Sequence, residues 1–529
     1  MKYCFLFLAL TAQICFGQKL KKADKATLAN LQTHIGYLAS DKLEGRRTGT
    51  AGEKLAYEYI SNEFLKAGLA AKGDNGTFIQ DFEVNEGKQI NPSSHLIINS
   101  FDLDAEKEYF PFIFSPNASL EAAPSISLRE SGTVWFLDLK ELLEANKGNP
   151  HFDLTEAIKT KANEMAAKGA TALIVYNTSS IADELKFEPK AKSETVKIPV
   201  LYVTPEVKKK YLYDETATID IKLKVDIGDK KRTGHNVIGY IDNGAASTVI
   251  LGAHYDHLGY GEDHNSLYTG TTPQVHNGAD DNASGTAALI EISKQLKASK
   301  FKSNNYLVIS FSGEELGLFG SKYFTEHPTI NLSNANYMIN MDMVGRYDTS
   351  RKLTIGGYGT SPVWGEVFKT NTDKNLLVHF DSSGTGPSDH ASFYRKDIPV
   401  LFFFTNSHSD YHKASDDADK INYTGETEII NYIKQIIEAV NYNGRLTFTK
   451  TREQEMRSVA LPVTLGVMPD YAYTGTGMRI DGVSKGKTAE RIGLQAGDVL
   501  MQLGENLDKG FLQHVFGIFP VFGKPVAYA

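Results

Sequence analysis

The stretch Tyr306-Leu-Val-Ile-Ser-Phe-Ser-Gly-Glu-Glu315 gives the clearest structural signal in this chain of 529 residues, because an apolar run is followed by two adjacent acids. Three further apolar runs in the same half of the chain have the same character: Thr248-Val-Ile-Leu, Tyr337-Met-Ile-Asn-Met and Ile398-Pro-Val-Leu-Phe-Phe-Phe. Runs of this length and composition are typical of buried β-strands. Ligands of open α/β sheets bind at the carboxyl ends of the strands, so the polar groups that follow these runs are expected to converge.

The spacing of the acids supports the same architecture. Asp281 and Glu314 are 33 residues apart, and Glu315 and Asp342 are 27 apart. Each interval is close to one strand–helix–strand step. We therefore predict an α/β fold for residues 232–450, with a mixed, largely parallel central sheet and helices on both faces.

Six metal-competent side chains are predicted to lie at the ends of these apolar runs. They are His254, Asp281, Glu314, Glu315, Asp342 and His412. Two imidazoles and three carboxylates, with a fourth carboxylate beside them, are sufficient for a two-metal hydrolytic site. Nitrogen and oxygen ligands without sulfur suit zinc, with manganese or cobalt as substitutes.

The segment His254-Tyr-Asp256 predicts a supported metal ligand. Residues two apart in an extended strand share a face, so Asp256 can hold one ring nitrogen of His254 and leave the other for a metal. The alternative is a solvated loop after a strand. The neighbouring His257 is interpreted as a loop or wall residue.

The acidic segments also allow two interpretations each. The acids in Gly278-Ala-Asp-Asp-Asn-Ala-Ser-Gly285 either bridge two cations or cap the helix that follows. The pair Glu314-Glu315 is either a ligand beside a proton shuttle or two surface acids. Asp342 favours a metal, because it lies between two methionines and a buried charge needs a partner or a cation.

Two segments around the last predicted strand complete the candidate site. His412 suits the last ligand, and Tyr411 is placed to donate its hydroxyl to a developing oxyanion. Ser388-Asp389-His390 is interpreted as a supporting element without an assigned role.

Composition and the first residues restrict the class of protein. Lysine and arginine number 56 against 64 acids, and the net charge of −8 gives no basic surface for nucleic acid.

Residues 1–17 predict a signal peptide cleaved before Gln18, and no later stretch is long and apolar enough to span a membrane. Both cysteines, Cys4 and Cys15, lie in that signal, which excludes disulfides and thiol nucleophiles from the mature chain. We expect an exported protein, periplasmic or extracellular.

The rest of the chain predicts additional domains. Residues 18–89 are predicted to be the N-terminal part of the catalytic domain, with a helical pattern from Lys25 to about Val84. Within it, a polar loop at Asp41–Gly52 separates two amphipathic helices, and the second helix is predicted to stop at Gly68. Residues 90–231 are rich in short β-like runs and carry no metal-ligand cluster, so they are interpreted as a non-catalytic insert. Residues 451–529 predict a further small unit.

The metal motifs closely resemble those of the co-catalytic di-zinc aminopeptidases (metallopeptidase clan MH), a family that includes secreted bacterial leucine aminopeptidases and glutamate carboxypeptidase II. The matching segments are Gly252-Ala-His-Tyr-Asp256, Gly278-Ala-Asp-Asp-Asn-Ala-Ser-Gly285, Ser312-Gly-Glu-Glu-Leu-Gly317, Asn340-Met-Asp342 and Tyr411-His412. The resemblance implies a zinc exopeptidase fold of the phosphorylase/hydrolase-like type. It also implies two zinc ions per chain, peptide substrates, and the following roles: His254 and Asp342 on one ion, Glu315 and His412 on the other, Asp281 as the bridge, Glu314 as general acid/base, and Tyr411 as a hydrogen-bond donor to the transition state.

Weaker resemblances cover the other segments. Lys168-Gly-Ala-Thr-Ala-Leu-Ile-Val-Tyr176 is similar to part of a protease-associated domain, which implies that residues 90–231 are such a domain. Leu465-Gly-Val and the stretch from Ala489 to Val499 resemble a PDZ domain, a fold that binds an extended chain end along a strand.

Four functions compete at this point. The first is an exported aminopeptidase. A carboxypeptidase or dipeptidase can use the same site, and the family also contains glutaminyl cyclases that use a single zinc. The non-enzymatic alternative is a metal-stabilised binding protein whose additional domains recognise partners.

Overall fold

The computed structural model describes residues 21–149, 152–189, 191, 193–348, 353–373 and 375–451, and short pieces at 465, 467–469, 478–483, 488–495 and 497–501. The predicted signal peptide lies outside the described residues, as does part of the PDZ-like segment. The chain divides into two compact units, one formed by Glu83–Arg232 and the other by the chain before and after it. None of the described helices is both long and apolar enough to cross a bilayer.

Two helices and two strands precede the insert. They are α1 (Lys22–Leu38), α2 (Ala51–Lys66), β1 (Ala70–Ala71) and β2 (Ile79–Ile90). The helical pattern expected to extend to about Val84 is wrong beyond α2, because β1 and the start of β2 lie in that stretch. Buried Phe82 and Val84 alternate there with exposed Asp81 and Glu83, and this period of two belongs to a strand.

The unit Glu83–Arg232 contains two four-stranded sheets and three helices. Its elements are β3 (His95–Ile98), β4 (Phe101–Asp102), β5 (Tyr109–Pro111), β6 (Ala118–Ala122), β7 (Val134–Asp138), α3 (Lys140–Ala145), α4 (Leu154–Ala167), β8 (Ala172–Tyr176), β9 (Val200–Val203), α5 (Pro205–Tyr211) and β10 (Ile221–Val225). The sheets have the orders β4-β3-β10-β6 and β5-β9-β8-β7. Apolar residues of β8 alternate between two cores, since Ile174 belongs to one and Leu173 and Val175 belong to the other.

Seven strands and five helices follow the insert. They are β11 (Ile227–Ile241), β12 (Thr248–His254), α6 (Gly285–Lys297), β13 (Asn305–Phe311), α7 (Phe319–Glu326), β14 (Ala335–Met341), β15 (Leu353–Gly356), α8 (Pro362–Thr370), β16 (Val378–Phe380), α9 (His390–Tyr394), β17 (Val400–Phe404) and α10 (Tyr423–Val440). Short 3-10 turns occupy Asp41–Arg46, Asp74–Gly76, Leu332–Asn334, Tyr358–Thr360 and Ala418–Lys420, and Ala279–Ser284 forms an irregular turn before α6.

The central sheet has the strand order β1-β11-β13-β12-β14-β17-β15-β16, and β2 also pairs with β11. β13, β12, β14 and β17 are neighbours and run parallel. β11 and β15 are antiparallel to their inner neighbours. The four strands predicted from the apolar runs therefore lie side by side, and their carboxyl ends meet at one edge.

Both faces of this sheet are covered. Val249 and Leu251 of β12 belong to one core, together with residues of α1, α6 and α10. Ile250 points to the opposite core, which also contains Phe324 of α7 and Phe393 of α9. The alternation follows from the two-residue period of a strand. The predicted mixed α/β fold with a largely parallel sheet and helices on both faces is confirmed.

The tail beyond residue 451 contributes three short strands and one helical turn among the described residues: β18 (Val467–Pro469), β19 (Met478–Val483), α11 (Thr488–Arg491) and β20 (Val499–Leu500). The strands pair antiparallel in the order β18-β19-β20.

Candidate metal centre

The strand ends bring the predicted ligands together. His254 is the last residue of β12, Asp342 directly follows β14, and Glu315 lies on the turn after β13. His412 belongs to the loop after β17. Asp281 lies in the turn before α6, so its predicted position at the end of a strand is wrong. Each of these five side chains is no more than 12% exposed.

Two histidines present the same ring nitrogen to the site. The Nδ1 atom of His254 lies 3.2 Å from the main-chain oxygen of Asp256, and Nδ1 of His412 lies 2.9 Å from that of Asn265. A carbonyl oxygen can only accept, so each Nδ1 carries the proton of the bond. The Nε2 lone pairs are therefore directed at the carboxylates and are free to bind a cation.

Distances between these groups fit two cations. His254 Nε2 lies 3.4 Å from Oδ1 of Asp281 and 3.3 Å from Oδ1 of Asp342. His412 Nε2 lies 3.3 Å from Oδ2 of Asp281 and 3.1 Å from Oε2 of Glu315. Two atoms on one tetrahedral zinc, each bound at about 2.0–2.1 Å, are separated by about 3.3 Å. The donor atoms therefore have the spacing that a zinc ion requires.

The two oxygens of Asp281 face different imidazoles, which is the arrangement of a bridging carboxylate. Burial opposes ionisation, but the neighbouring imidazoles of His254, His257 and His412 hold the pKa of Asp281 well below its usual range. The adjacent acid, Asp280, points elsewhere, because its carboxylate accepts from the main-chain N–H of Gly345 at 2.7 Å and lies 3.2 Å from His408. The geometry thus separates two acids that the pattern alone left equivalent.

The paired glutamates behave differently. Burial raises the pKa of Glu314 well above its usual range, and the charges of Glu315, Asp342 and Asp389 add to this effect against the opposing influence of His254. Burial works in the same direction on Glu315, but His412 and His257 lower its pKa to about 2. One glutamate is therefore suited to hold a proton and the other to remain an anionic ligand.

Tyr411 stacks on the ring of His412, with ring centroids 4.0 Å apart. Burial and the surrounding carboxylates raise the pKa of the Tyr411 hydroxyl well above its usual range. The hydroxyl therefore keeps its proton at neutral pH and remains a hydrogen-bond donor.

The expected bond between the Asp256 carboxylate and His254 is replaced by a main-chain contact. Oδ1 of Asp256 lies 3.7 Å from Nδ1 of His254, whereas the Asp256 main-chain oxygen lies 3.2 Å away. The carboxylate is occupied by other donors, namely the Thr48 hydroxyl at 3.0 Å and the main-chain N–H of Glu314 at 3.2 Å. Asp256 thus links the turn that carries Glu314 to the strand that carries His254.

An arginine missed by the sequence analysis connects the ligand segments. The fully buried guanidinium of Arg46 donates to the main-chain oxygens of Tyr255 (2.7 Å), Leu38 (2.5 Å), Asn277 (2.7 Å) and Gly278 (3.0 Å). Burial lowers its pKa to about 10, so it stays charged at neutral pH. It places positive charge beside an acidic site, and it joins the residue that follows His254 to the segment that precedes Asp281.

Replacing Arg46 by Met is expected to lower the free energy of unfolding by roughly 3–5 kcal/mol, because four buried carbonyl oxygens lose their donor. Urea unfolding at fixed zinc concentration measures the change. Arg395→Met is the control, since Arg395 is exposed and its loss should cost less than about 0.5 kcal/mol. An equally small decrease in the free energy of unfolding for both variants would contradict the supporting role of Arg46.

The same N-terminal loop supplies two more supporting groups. The Thr48 hydroxyl accepts from the main-chain N–H of Gly313 at 3.1 Å while it donates to Asp256. The buried carboxylate of Glu53 accepts from the hydroxyls of Ser312 (2.5 Å) and Tyr255 (3.3 Å). The sequence shows a polar, glycine-rich loop between two amphipathic helices. It does not indicate that side chains of this segment contact residues more than 200 positions later.

Asp416 and Ser388 also support segments that carry ligands. Oδ2 of Asp416 accepts from the main-chain N–H groups of Asp280 (2.9 Å) and Asp281 (3.0 Å), so it fixes the turn that carries the shared acid. Ser388, in the segment left without a role, accepts from the side-chain amide of Asn340 at 2.9 Å.

Part of the chain is similar in sequence to known enzymes. The chain is 28% identical to aminopeptidase YwaD of Bacillus subtilis over 254 residues, which is 46% of this chain and 50% of that protein. It is 29% identical to leupeptin-inactivating enzyme 1 of Streptomyces exfoliatus over 192 residues, 36% of this chain and 39% of the relative. The matches thus span half or less of these curated relatives. The solved structure of a zinc aminopeptidase from Bacillus subtilis aligns with a TM-score of 0.43 at 21% identity, covering 80% of this chain and 96% of that one.

A family profile matches the part of the chain that carries the site. Residues 236–437 match peptidase family M28, and this range contains all eight residues predicted for the site. The range also spans the four parallel strands whose carboxyl ends carry the imidazoles and acids. The part of this chain that carries the candidate metal centre, residues 236–437, is therefore similar to peptidase family M28.

Proposed function

We propose that the protein is an exported zinc-dependent aminopeptidase that removes N-terminal residues from peptides. The observation that carries the proposal is the position of Asp281, whose two oxygens face His254 and His412 separately. This arrangement supports two zinc ions, with manganese or cobalt as substitutes. His254 and Asp342 would hold one ion, Glu315 and His412 the other, and Asp281 both.

Bound divalent ions supply Lewis acidity, which polarises a peptide carbonyl and makes water a stronger nucleophile at neutral pH. Glu314 lies beside the ligands, and its main-chain N–H is anchored on Asp256 at 3.2 Å. We assign to Glu314 the transfer of a proton from water to the leaving amine. Tyr411, which keeps its hydroxyl proton, donates to the oxyanion that develops on the substrate carbonyl.

We also propose roles for the remaining segments. Residues 1–17 serve as a signal peptide, which places the mature enzyme in the periplasm or outside the cell. Residues 90–231 form a protease-associated domain, and residues 451–529 form a PDZ-like domain that binds extended peptides. Peptides are the proposed partners of the catalytic domain.

Substrates with a free α-amine are expected to be hydrolysed at least roughly 10²-fold faster than their N-acetylated forms, because a site that pairs a substrate amine rejects an analogue without it. The measurement is kcat/KM for amino-acyl anilides with free and with acetylated amines, using zinc-loaded full-length protein.

Preference for the acetylated forms would point to a carboxypeptidase-type reaction. Cyclisation of N-terminal glutamine with one bound zinc would identify a glutaminyl cyclase. A zinc-loaded protein that turns over none of these substrates, and no dipeptide, would favour the binding-protein alternative.

A further inference from the structure

A third histidine, His257, lies against the candidate metal ligands. Its Nδ1 atom is 2.7 Å from Oε1 of Glu315 and 3.9 Å from Oδ2 of Asp281. Its ring is perpendicular to that of His412, with centroids 5.9 Å apart. The side chain is completely buried, so it is part of the site and not a wall facing solvent.

The ring of His257 is oriented opposite to those of His254 and His412. Those two bond a main-chain oxygen through Nδ1 and direct Nε2 at the carboxylates. His257 instead directs Nδ1 at Glu315, and its buried Nε2 has no hydrogen-bond partner among the described residues. Since an ionised carboxylate only accepts, Nδ1 is the donor in this contact.

The distances from His257 to Glu315 and Asp281 distinguish a hydrogen bond from binding to a shared metal ion. Atoms bound to one tetrahedral zinc lie about 3.3 Å apart, which matches both His254 and His412 with their carboxylates. The His257–Glu315 distance of 2.7 Å is shorter, and the His257–Asp281 distance of 3.9 Å is longer. A separation of 2.7–2.9 Å is typical of a charge-assisted hydrogen bond.

The two oxygens of Glu315 are therefore divided between two neighbours. Oε1 accepts from His257 at 2.7 Å, while Oε2 lies 3.1 Å from Nε2 of His412. The ring of His257 has little room to move, because it packs against Gly278. A Cβ atom at that position would lie 2.5 Å from Cδ2 of His257.

We propose that His257 is a positioning residue that holds Oε1 of Glu315 and so presents Oε2 alone to the second metal ion. A carboxylate held in this way would offer one oxygen to a cation and would leave room on that cation for substrate. The inference rests on the proposed function, since it assigns a residue to the binding of one of its two ions.

Zinc titration of the metal-free full-length protein against a chromophoric chelator tests the proposal without any activity assay. His257→Ala is expected to weaken one of the two zinc sites by about 10–100-fold, the usual effect of removing a residue that orients a ligand, and to leave the other unchanged. His257→Asn should restore most of the affinity, because its amide nitrogen occupies the position of Nδ1. His34→Ala is the matched control, as His34 is another buried histidine beside a glutamate, 3.6 Å from Glu291.

Two results would overturn the inference while the proposed function stands. In one, the wild type binds two ions and His257→Ala binds them as tightly as His34→Ala. In the other, His257→Asn is as weak as His257→Ala, which would make the imidazole itself a ligand. A wild-type protein that binds fewer than two ions would contradict the proposed function and the inference with it.

Discussion

Replacing Glu314 by Gln is expected to lower kcat by roughly 10²–10⁴ while both metal ions stay bound, because the amide cannot carry a proton from water to the leaving amine. The substitution changes the side chain by one atom, and the main-chain N–H of Glu314 can still donate to Asp256. The measurements are kcat on an unblocked amino-acyl anilide and zinc content by elemental analysis of the same sample.

Two further variants serve as comparisons for Glu314→Gln. Glu326→Gln, at the exposed end of α7, controls for the loss of a carboxylate and should change neither quantity. Glu315→Gln should lower zinc content, because Oε2 of Glu315 is the atom near Nε2 of His412. Unchanged turnover in Glu314→Gln would remove Glu314 from the mechanism, and loss of zinc in that variant would show that the two glutamates exchange roles.

The second large effect is expected for Asp281→Asn, which should reduce zinc content below two ions and lower turnover by about 10³ or more. The two oxygens of Asp281 face the imidazoles of His254 and His412, at 3.4 and 3.3 Å. Lewis-acid stabilisation of a transition state is worth several kcal/mol. Each 1.36 kcal/mol corresponds to a factor of ten in rate, which gives the expected loss.

Asp280→Asn is the matched control, because the residue is adjacent in sequence but directs its carboxylate at Gly345 and His408. It should destabilise the fold, since it weakens contacts of a fully buried carboxylate, yet the folded fraction should keep two zinc ions. The reverse pattern, with Asp281→Asn fully loaded and Asp280→Asn depleted, would show that the wrong acid was chosen as the bridge.

The main ligands could be predicted because they follow apolar runs. A parallel sheet places the carboxyl ends of neighbouring strands together, so His254, Glu315 and Asp342 had to approach one another once β12, β13 and β14 were recognised. The short strands β15 and β16 at one side of the sheet were missed, since four and three residues are too short for a periodic pattern. β2 was missed because the stretch to about Val84 was interpreted as helical, although the second helix was predicted to stop at Gly68.

Supporting residues could not be predicted for a different reason. Arg46 and Thr48 reach the site from a loop 208 or more positions before the residues they bond there, and no local spacing encodes such contacts. Asp256 was correctly placed beside His254, but its carboxylate does not bond the imidazole as predicted. Thr48 and the main-chain N–H of Glu314 donate to that carboxylate instead. Packing of the His257 ring decides which of its nitrogens contacts Glu315, and the sequence does not encode this orientation locally.

Anomalous diffraction at the zinc edge, from crystals of the zinc-loaded full-length protein, tests the central claim most directly. We predict two peaks roughly 3.5–4 Å apart. One should lie within bonding distance of His254 and Asp342, the other within that of Glu315 and His412, and Asp281 should reach both. A single peak at this edge of the sheet, or peaks that Asp281 does not join, would contradict the two-metal account.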